Sequence, residues 1–504
     1  MPTPTPASTP ATTPATRPTG HEDLPLFAHE DLPLFTLDTD QPTTPTPTHE
    51  DLFALDGPEL TALLDSLTTA QRAQLAGPYP ARWLYPPQPG DAPRGVNVCA
   101  GCGGGCAGLR LVLGVEADMV CIELKKDPAA TSTAAGCTVI QQDIKTLDPR
   151  HPTLRWTRRV MCTMPCIDWT RAGRGAGRDA SNLEILLDAI DQVGAHMGNV
   201  WVDGAEVCTH DDPADCDDNC YDHMIEPSGA PITELWELVD DMTADTAGLM
   251  LAPVIWILGL RSIGAPVESI VIEQSSALPE DVQDYIQSEL WIAGCESVQW
   301  ADLDAADFGS PSNRKRAIMS AHWYRSPGPV TIPGIRTNAA LVLGWPTDTR
   351  INTRGERKTS GGNVFTLNRT IPAVTGKIRG WYCQETGRRF TIPEVCALVG
   401  LPRHHPVTGS RTSQCQQLGD ILSPLVSAAV WGTLLGLPWL DMLRTYLAQI
   451  YPTVHSQPTA AILYNPAPAP TRPAPAVTDA DILRLFAQGD YPRLRIQTHP
   501  TTPH

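Results

Sequence analysis

Five short apolar runs, each closing on an acid or a cysteine, constrain this 504-residue chain more than any other feature. They are Val96-Asn97-Val98-Cys99, Met119-Val120-Cys121-Ile122-Glu123, Thr138-Val139-Ile140-Gln141-Gln142-Asp143, Val160-Met161-Cys162-Thr163-Met164-Pro165 with Cys166 next, and Ile270-Val271-Ile272-Glu273. Each reads as a strand, and helical spacing lies between them, as over 108–114. Strands alternating with helices, with polar residues at the strand C-termini, predict a doubly wound parallel sheet. The first run opens into a glycine-dense turn, Ala100-Gly101-Cys102-Gly103-Gly104-Gly105. Turns of this kind cradle nucleotide-like cofactors. The pair Pro165-Cys166 follows about sixty residues later. That order suggests transfer of a group onto an electrophilic ring carbon, with a thiolate as nucleophile.

Length alone allows about three domains. Residues 1–56 are Pro/Thr-rich and predict a disordered tail, and 465–476 read as a stiff linker. One large catalytic domain remains, with a helical lead-in over 57–94 that includes a helix over 57–75. The net charge of −19 is concentrated in two places. Residues 1–60 carry ten acids and one arginine, while 198–245 carry fourteen acids and no Lys or Arg. The rest is mildly basic, so a nucleic-acid partner stays open. Arg150, Arg155, Arg158, Arg159, Arg171, Arg174 and Arg178 crowd the Pro-Cys stretch in sequence and are expected to meet phosphate. There is no signal-peptide pattern, and the apolar stretch 248–260 is too short to span a bilayer. Fourteen cysteines without a secretory signal predict a reducing, cytoplasmic setting with no membrane partner.

These residues resemble the DNA (cytosine-5) methyltransferase family over roughly 95–440, with the motifs in family order. Asn97-Val98-Cys99-Ala100-Gly101-Cys102-Gly103-Gly104 looks like the family's opening motif, and Pro165-Cys166 like its nucleophile pair. Pro311-Ser312-Asn313-Arg314-Lys315-Arg316 looks like its arginine motif, and Gln417-Leu418-Gly419-Asp420 like its last. The resemblance implies a Rossmann-like, doubly wound, S-adenosylmethionine-dependent methyltransferase fold. It implies that Cys166 adds to C6 of a flipped cytosine, that Glu273 holds N3 and the exocyclic amine, that Arg316 holds O2, and that Arg314 supports them. It implies a cofactor site built from Cys99, Ala100, Gly101, Gly103, Gly104, Glu123 on the ribose, Asp143 on the adenine, Pro165 and Asp420. The arginine cluster is expected to lower the Cys166 thiol pKa.

The chain departs from the family at four positions. Asn97 stands for an aspartate, Cys99 for a stacking aromatic, Ser312 for a glutamine and Asp420 for an asparagine. The target-recognition region is short, about 326–370, followed by a C-terminal part of the catalytic domain over 371–440 and a linker with a terminal helix over 441–504. The acidic insert offers Cys208, His210, Cys216, Cys220 and His223 as zinc ligands. The tail repeats one phrase, His21-Glu22-Asp23-Leu24-Pro25-Leu26-Phe27, His29-Glu30-Asp31-Leu32-Pro33-Leu34-Phe35 and His49-Glu50-Asp51-Leu52-Phe53. It resembles bacterial sliding-clamp-binding motifs, so residues 21–53 are expected to dock on a clamp. The expected partner is double-stranded DNA, bound by a monomer. A tRNA cytosine and a weakly active DNA-bound scaffold that recruits the clamp are the alternatives.

Overall fold

The computed structural model describes residues 46–170, 175–197, 230–244, 246–353 and 364–455. Part of the tail expected over 1–56 is helical. Thr48 caps helix α1 (His49–Phe53), accepting a hydrogen bond from the Asp51 backbone N–H. Leu52 is fully buried, and Arg155 donates to the carbonyls of Leu52 and Leu55. The third copy of the repeat, inside the tail expected over 1–56, is thus packed against the helices that follow it. The helix expected over 57–75 is two, α2 (Gly57–Ser66) and α3 (Thr69–Ala76). Thr68 and Gln71 form a capping box that starts the second.

The core follows as β1 (Arg94–Val98), α4 (Gly104–Ala107), β2 (Asp118–Ile122), α5 (Lys126–Ala134), β3 (Thr138–Ile140) and β4 (Arg159–Cys162). Next come α6 (Ala180–His196), α7 (Ile232–Glu237), α8 (Ala252–Ser262), β5 (Ser269–Ser275), α9 (Glu280–Ile292), β6 (Ser297–Asp304) and β7 (Lys315–His322). One seven-stranded sheet runs β3-β2-β1-β4-β5-β7-β6, with β7 antiparallel to both neighbours. This is the Rossmann-like, doubly wound α/β sheet expected. The five anticipated strands are present. Strands β6 and β7 were not anticipated, because β7 begins on Lys315-Arg316, which reads as a basic loop.

The remaining elements are α10 (Ala339–Leu343), β8 (Arg350–Asn352), β9 (Val364–Thr366), β10 (Tyr382–Cys383), α11 (Ile392–Leu398), α12 (Arg411–Asp420), α13 (Pro424–Leu435) and α14 (Trp439–Ile450). A small sheet, β10-β8-β9, draws strand β10 from beyond 370, so the unit expected over 326–370 does not close at that boundary. The C-terminal boundary moves too: α14 lies where a linker was expected, yet buries Leu443, Tyr446 and Leu447.

Both faces of the main sheet are covered, as parallel strands require. Val160, Cys162, Ile270, Ile272 and Met319 pack in the core that includes α6, α8 and α9. Met161, Val271 and Ile318 point the other way, into a core with Leu109, α13 and α14. The apolar span Arg411–Leu435 has a length and composition that could cross a membrane, but it breaks after Asp420, and α13 is buried inside the domain.

Candidate active site

Strand order reverses between β1 and β4, and both strands end at the same edge. That switch point is where doubly wound sheets bind ligands. The loop after β4 is tied to the glycine turn after β1. The Thr163 N–H donates to the Val98 carbonyl (3.0 Å), and its hydroxyl donates to the Cys99 carbonyl (2.9 Å).

The glycines of the turn have different reasons to be there. A Cβ on Gly104 would stand 2.3 Å from Ile421 Cγ1 and from the Leu422 carbonyl, so this glycine lets α4 pack. Gly103 has φ +78° and would bring a Cβ 3.0 Å from Ser132 Oγ. Gly101 has φ +56°, and a Cβ there would meet nothing within 4 Å. It faces open space at the sheet edge. Cys99, also left-handed at φ 55°, is the one non-glycine with positive φ among the described residues. Such a conformation costs roughly 1–2 kcal/mol.

Glu123, directly after β2, is nearly buried. One carboxylate oxygen accepts the Gly101 N–H and the other the Lys125 N–H, both at 2.8 Å. Asp143 accepts the Lys145 N–H after β3 (3.0 Å). The Cys99 thiol is pushed up to about 12, first by burial and then by the charges of Glu123 and Asp143, so these three groups are neighbours. Ala100 is buried beneath them. An open cradle at Gly101, with carboxylates at the ends of two adjacent strands, fits the ribose and adenine of a nucleoside cofactor.

A second cluster forms around Cys166, which is half-buried in the loop after β4. Glu273 ends the apolar part of β5. Because β7 runs antiparallel, Arg316 pairs in register with Ser275 and so reaches the same edge. Arg316 Nε lies 2.8 Å from Glu273 Oε1, without the alignment of a hydrogen bond. Arg314 is buried. Its Nη1 donates to the Gly419 carbonyl (2.5 Å) and its backbone N–H to Asp304 (2.7 Å). Its Nε and Nη2 have no partner among the described residues. Burial, then the Arg316 charge, pushes Arg314 down to about 10. Asp420, exposed at the end of α12, accepts from Gln416 Nε2 (2.7 Å), and its charge is felt by Cys166 and Arg314.

The Cys166 thiol is raised above its ordinary pKa by burial, against the pull of Arg316 and Arg314 and with the push of Glu273 and Asp420. This corrects the expectation of a lowered thiol. Four of the arginines counted on for that effect are engaged elsewhere. Arg158 and Arg159 sit at the opposite end of β4, Arg158 paired with Glu268 and Arg159 buried. Arg150 holds Asp148 and the Ala230 carbonyl, and Arg155 holds α1. Proximity in sequence along a strand became separation by its length.

No family model and no curated relative matches the chain. Among solved structures, the chain is similar to a candidate DNA modification methyltransferase encoded in an E. coli prophage, at 12% identity and TM-score 0.41, covering 69% of this chain and 99% of that one. It is also similar to the S. pombe Dnmt2 methyltransferase, at 13% identity and TM-score 0.40, covering 68% and 98%. An Entamoeba histolytica methyltransferase matches at 12% identity and TM-score 0.39, covering 69% and 98%. Similarity at this level does not reach substrate or activity.

Three residues in or beside the sequence motifs have site-building roles that the motifs did not assign. Thr163 joins the two loops, and Gly419 accepts from Arg314. Asp168, fully buried, holds Thr246 at the far end of the acidic insert (2.9 and 2.7 Å). A polar residue two places after the Pro-Cys pair was the available signal for Asp168. Arg171, Arg174 and the candidate zinc ligands Cys208, His210, Cys216, Cys220 and His223 lie outside the described residues.

Proposed function

We propose that the chain is a DNA cytosine-5 methyltransferase. The observation that carries this reading is the convergence of Cys166 with Glu273, Arg314 and Arg316, one strand away from the Gly101–Glu123 cradle. The Cys166 thiolate bonds to C6 of a cytosine turned out of the duplex, and the C5–C6 electron pair moves to C5. Glu273, at N3 and the exocyclic amine, and Arg316, at O2, balance the charge that develops on the ring. S-adenosylmethionine, when bound, supplies an electrophilic methyl group for C5. Loss of the C5 proton then returns the electron pair to the C5–C6 bond as the C6–S bond breaks, freeing the thiolate. Glu123 on the ribose, Asp143 on the adenine, and the turn Ala100, Gly101, Gly103, Gly104 with Cys99, Pro165 and Asp420 form the proposed cofactor site. Burial keeps Cys166 a thiol at rest, so Arg316 and the bound base have to favour the thiolate.

A tRNA cytosine is the second reading, favoured by the small recognition sheet β10-β8-β9. Clamp docking is proposed only for the copies at 21–27 and 29–35, since Leu52 of the third is buried. The test is a duplex carrying 5-fluorocytosine at many sites, which cannot lose a proton from C5. Wild-type protein with S-adenosylmethionine should form an adduct stable to denaturation, and Cys166→Ala should not. Nucleoside mass spectrometry of DNA and tRNA from expressing cells identifies the substrate. Methylcytosine in neither, with no adduct, would leave only the scaffold reading.

A further inference from the structure

Behind the glycine turn, three thiols come together that the proposed chemistry does not use. Cys106 comes from α4, Cys121 from β2 and Cys137 from the turn before β3. Their Sγ atoms all lie within 4.8 Å of one another, and Cys106 and Cys121 are 3.5 Å apart. With Zn–S bonds of about 2.3 Å, sulfurs at the corners of a tetrahedron stand about 3.8 Å apart. The three thiols therefore sit at the spacing of one face of a zinc–thiolate tetrahedron, well beyond the ~2.05 Å of a disulfide.

Their surroundings suit a metal–thiolate group. Arg110 Nη2 lies 3.3 Å from Cys137 Sγ, and Asn97 Nδ2 donates to Cys106 Sγ (3.4 Å). Three thiolates and one divalent ion carry a net charge of −1, which Arg110 offsets. Donated N–H groups are the usual outer partners of metal-bound sulfur. Asn97 stands where the resembled family has an aspartate. Its amide can donate to the sulfur that a carboxylate would repel. His405 is close enough to Cys137 and Arg110 to feel both charges, and its Nε2 is buried without a partner among the described residues. A cavity of about 170 Å³ lined by Cys106, Arg110 and Cys137 gives a path in.

We propose that Cys106, Cys121 and Cys137 bind a thiophilic divalent cation, zinc in the cell, with His405 able to swing in as the fourth ligand. The metal joins α4, β2 and the start of β3 directly behind Gly103, whose Cβ position is 3.6 Å from Cys137 Sγ. It is a structural site, with no free position for chemistry once His405 is in place.

The full chain is purified under reducing, metal-free buffers, and its zinc content is measured. Near-stoichiometric zinc is expected. It should persist in the Cys216→Ser, Cys220→Ser double variant and be lost in Cys137→Ser, while His405→Ala weakens retention against a chromophoric chelator. Replacing zinc with Co²⁺ in wild-type protein should give a sulfur-to-cobalt charge-transfer band with the intensity of three thiolates. This measurement needs no variant to fold. Zinc-free folded protein whose Co²⁺ spectrum lacks that band overturns the proposal. So does loss of metal in the insert double variant alone, or a Cys106–Cys121 disulfide found in protein prepared without oxidant.

Discussion

Asp168 accepts both the backbone N–H (2.9 Å) and the hydroxyl (2.7 Å) of Thr246 on one carboxylate oxygen. The pair spans the acidic insert and closes it two residues beyond Cys166. Hydrogen bonds to a buried carboxylate are worth about 1.5–3 kcal/mol. Asp168→Ala should cost about 2–3 kcal/mol and lower 5-fluorocytosine trapping, because the Cys166 loop loses its anchor. Thr246→Val keeps the N–H donor and should cost roughly half as much. Denaturant melts of both variants measure this, and equal losses would show that the hydroxyl is the main bond.

Reactivity of Cys166 should follow the charges around it. Burial raises its pKa, Arg316 opposes that and Glu273 adds to it. The midpoint of iodoacetamide alkylation against pH should therefore lie above that of an ordinary cysteine. It should move further up in Arg316→Gln and down in Glu273→Gln. Shifts of the opposite sign would mean that these groups do not face the thiol.

The fold should weaken in alkali as its buried thiols are drawn toward ionisation. Burial pushes Cys102, Cys295 and Cys396 each up to about 12, from an ordinary value of 9.0. A raised folded pKa favours the protonated native state. The contribution is full below pH 9.0 and is lost as pH climbs from there toward 12. Urea midpoints across that window should fall steadily, and a flat profile would contradict the burial of these thiols.

Two glycines of one turn should fail differently. Gly104→Ala drives a methyl into Ile421 and the Leu422 carbonyl and should cost about 1–3 kcal/mol. Gly101→Ala meets no atom but strains a left-handed residue, for about 1 kcal/mol. It also fills the proposed cradle, so calorimetry should show S-adenosylmethionine binding lost in a protein that still folds.

Leu52 should behave as a core residue. It packs with Leu60, Leu64 and Leu75, so Leu52→Ala should cost about 2–4 kcal/mol in the full chain. In the full chain, Phe53→Ala should leave clamp binding unchanged while alanine at Leu24, Phe27, Leu32 and Phe35 removes it, and a loss with Phe53→Ala would mean that the third copy leaves the domain to bind.

The parallel half of the sheet was readable from residue order, because each of its strands carries its own signal. Apolar runs that alternate with helical spacing leave few arrangements, and a right-handed crossover sets which edge the strand ends share. Glycine at 101, 103 and 104, the acids at 123 and 143, and Pro165-Cys166 all fell on that edge for this reason. The antiparallel half was not readable. Lys315 and Arg316 begin β7, and a strand that starts with two cations has the local look of a loop. Its pairing with β5 is a contact between residues about forty positions apart, and only that pairing turns Arg316 toward Glu273. The same holds for the thiols at 106, 121 and 137. They lie on three elements with no common spacing, and packing of α4 onto the sheet brings them together. Local pattern encodes which element a segment becomes. Which charges and sulfurs end up within a few ångströms depends on strand direction and helix docking, which are decided by burial across the whole domain.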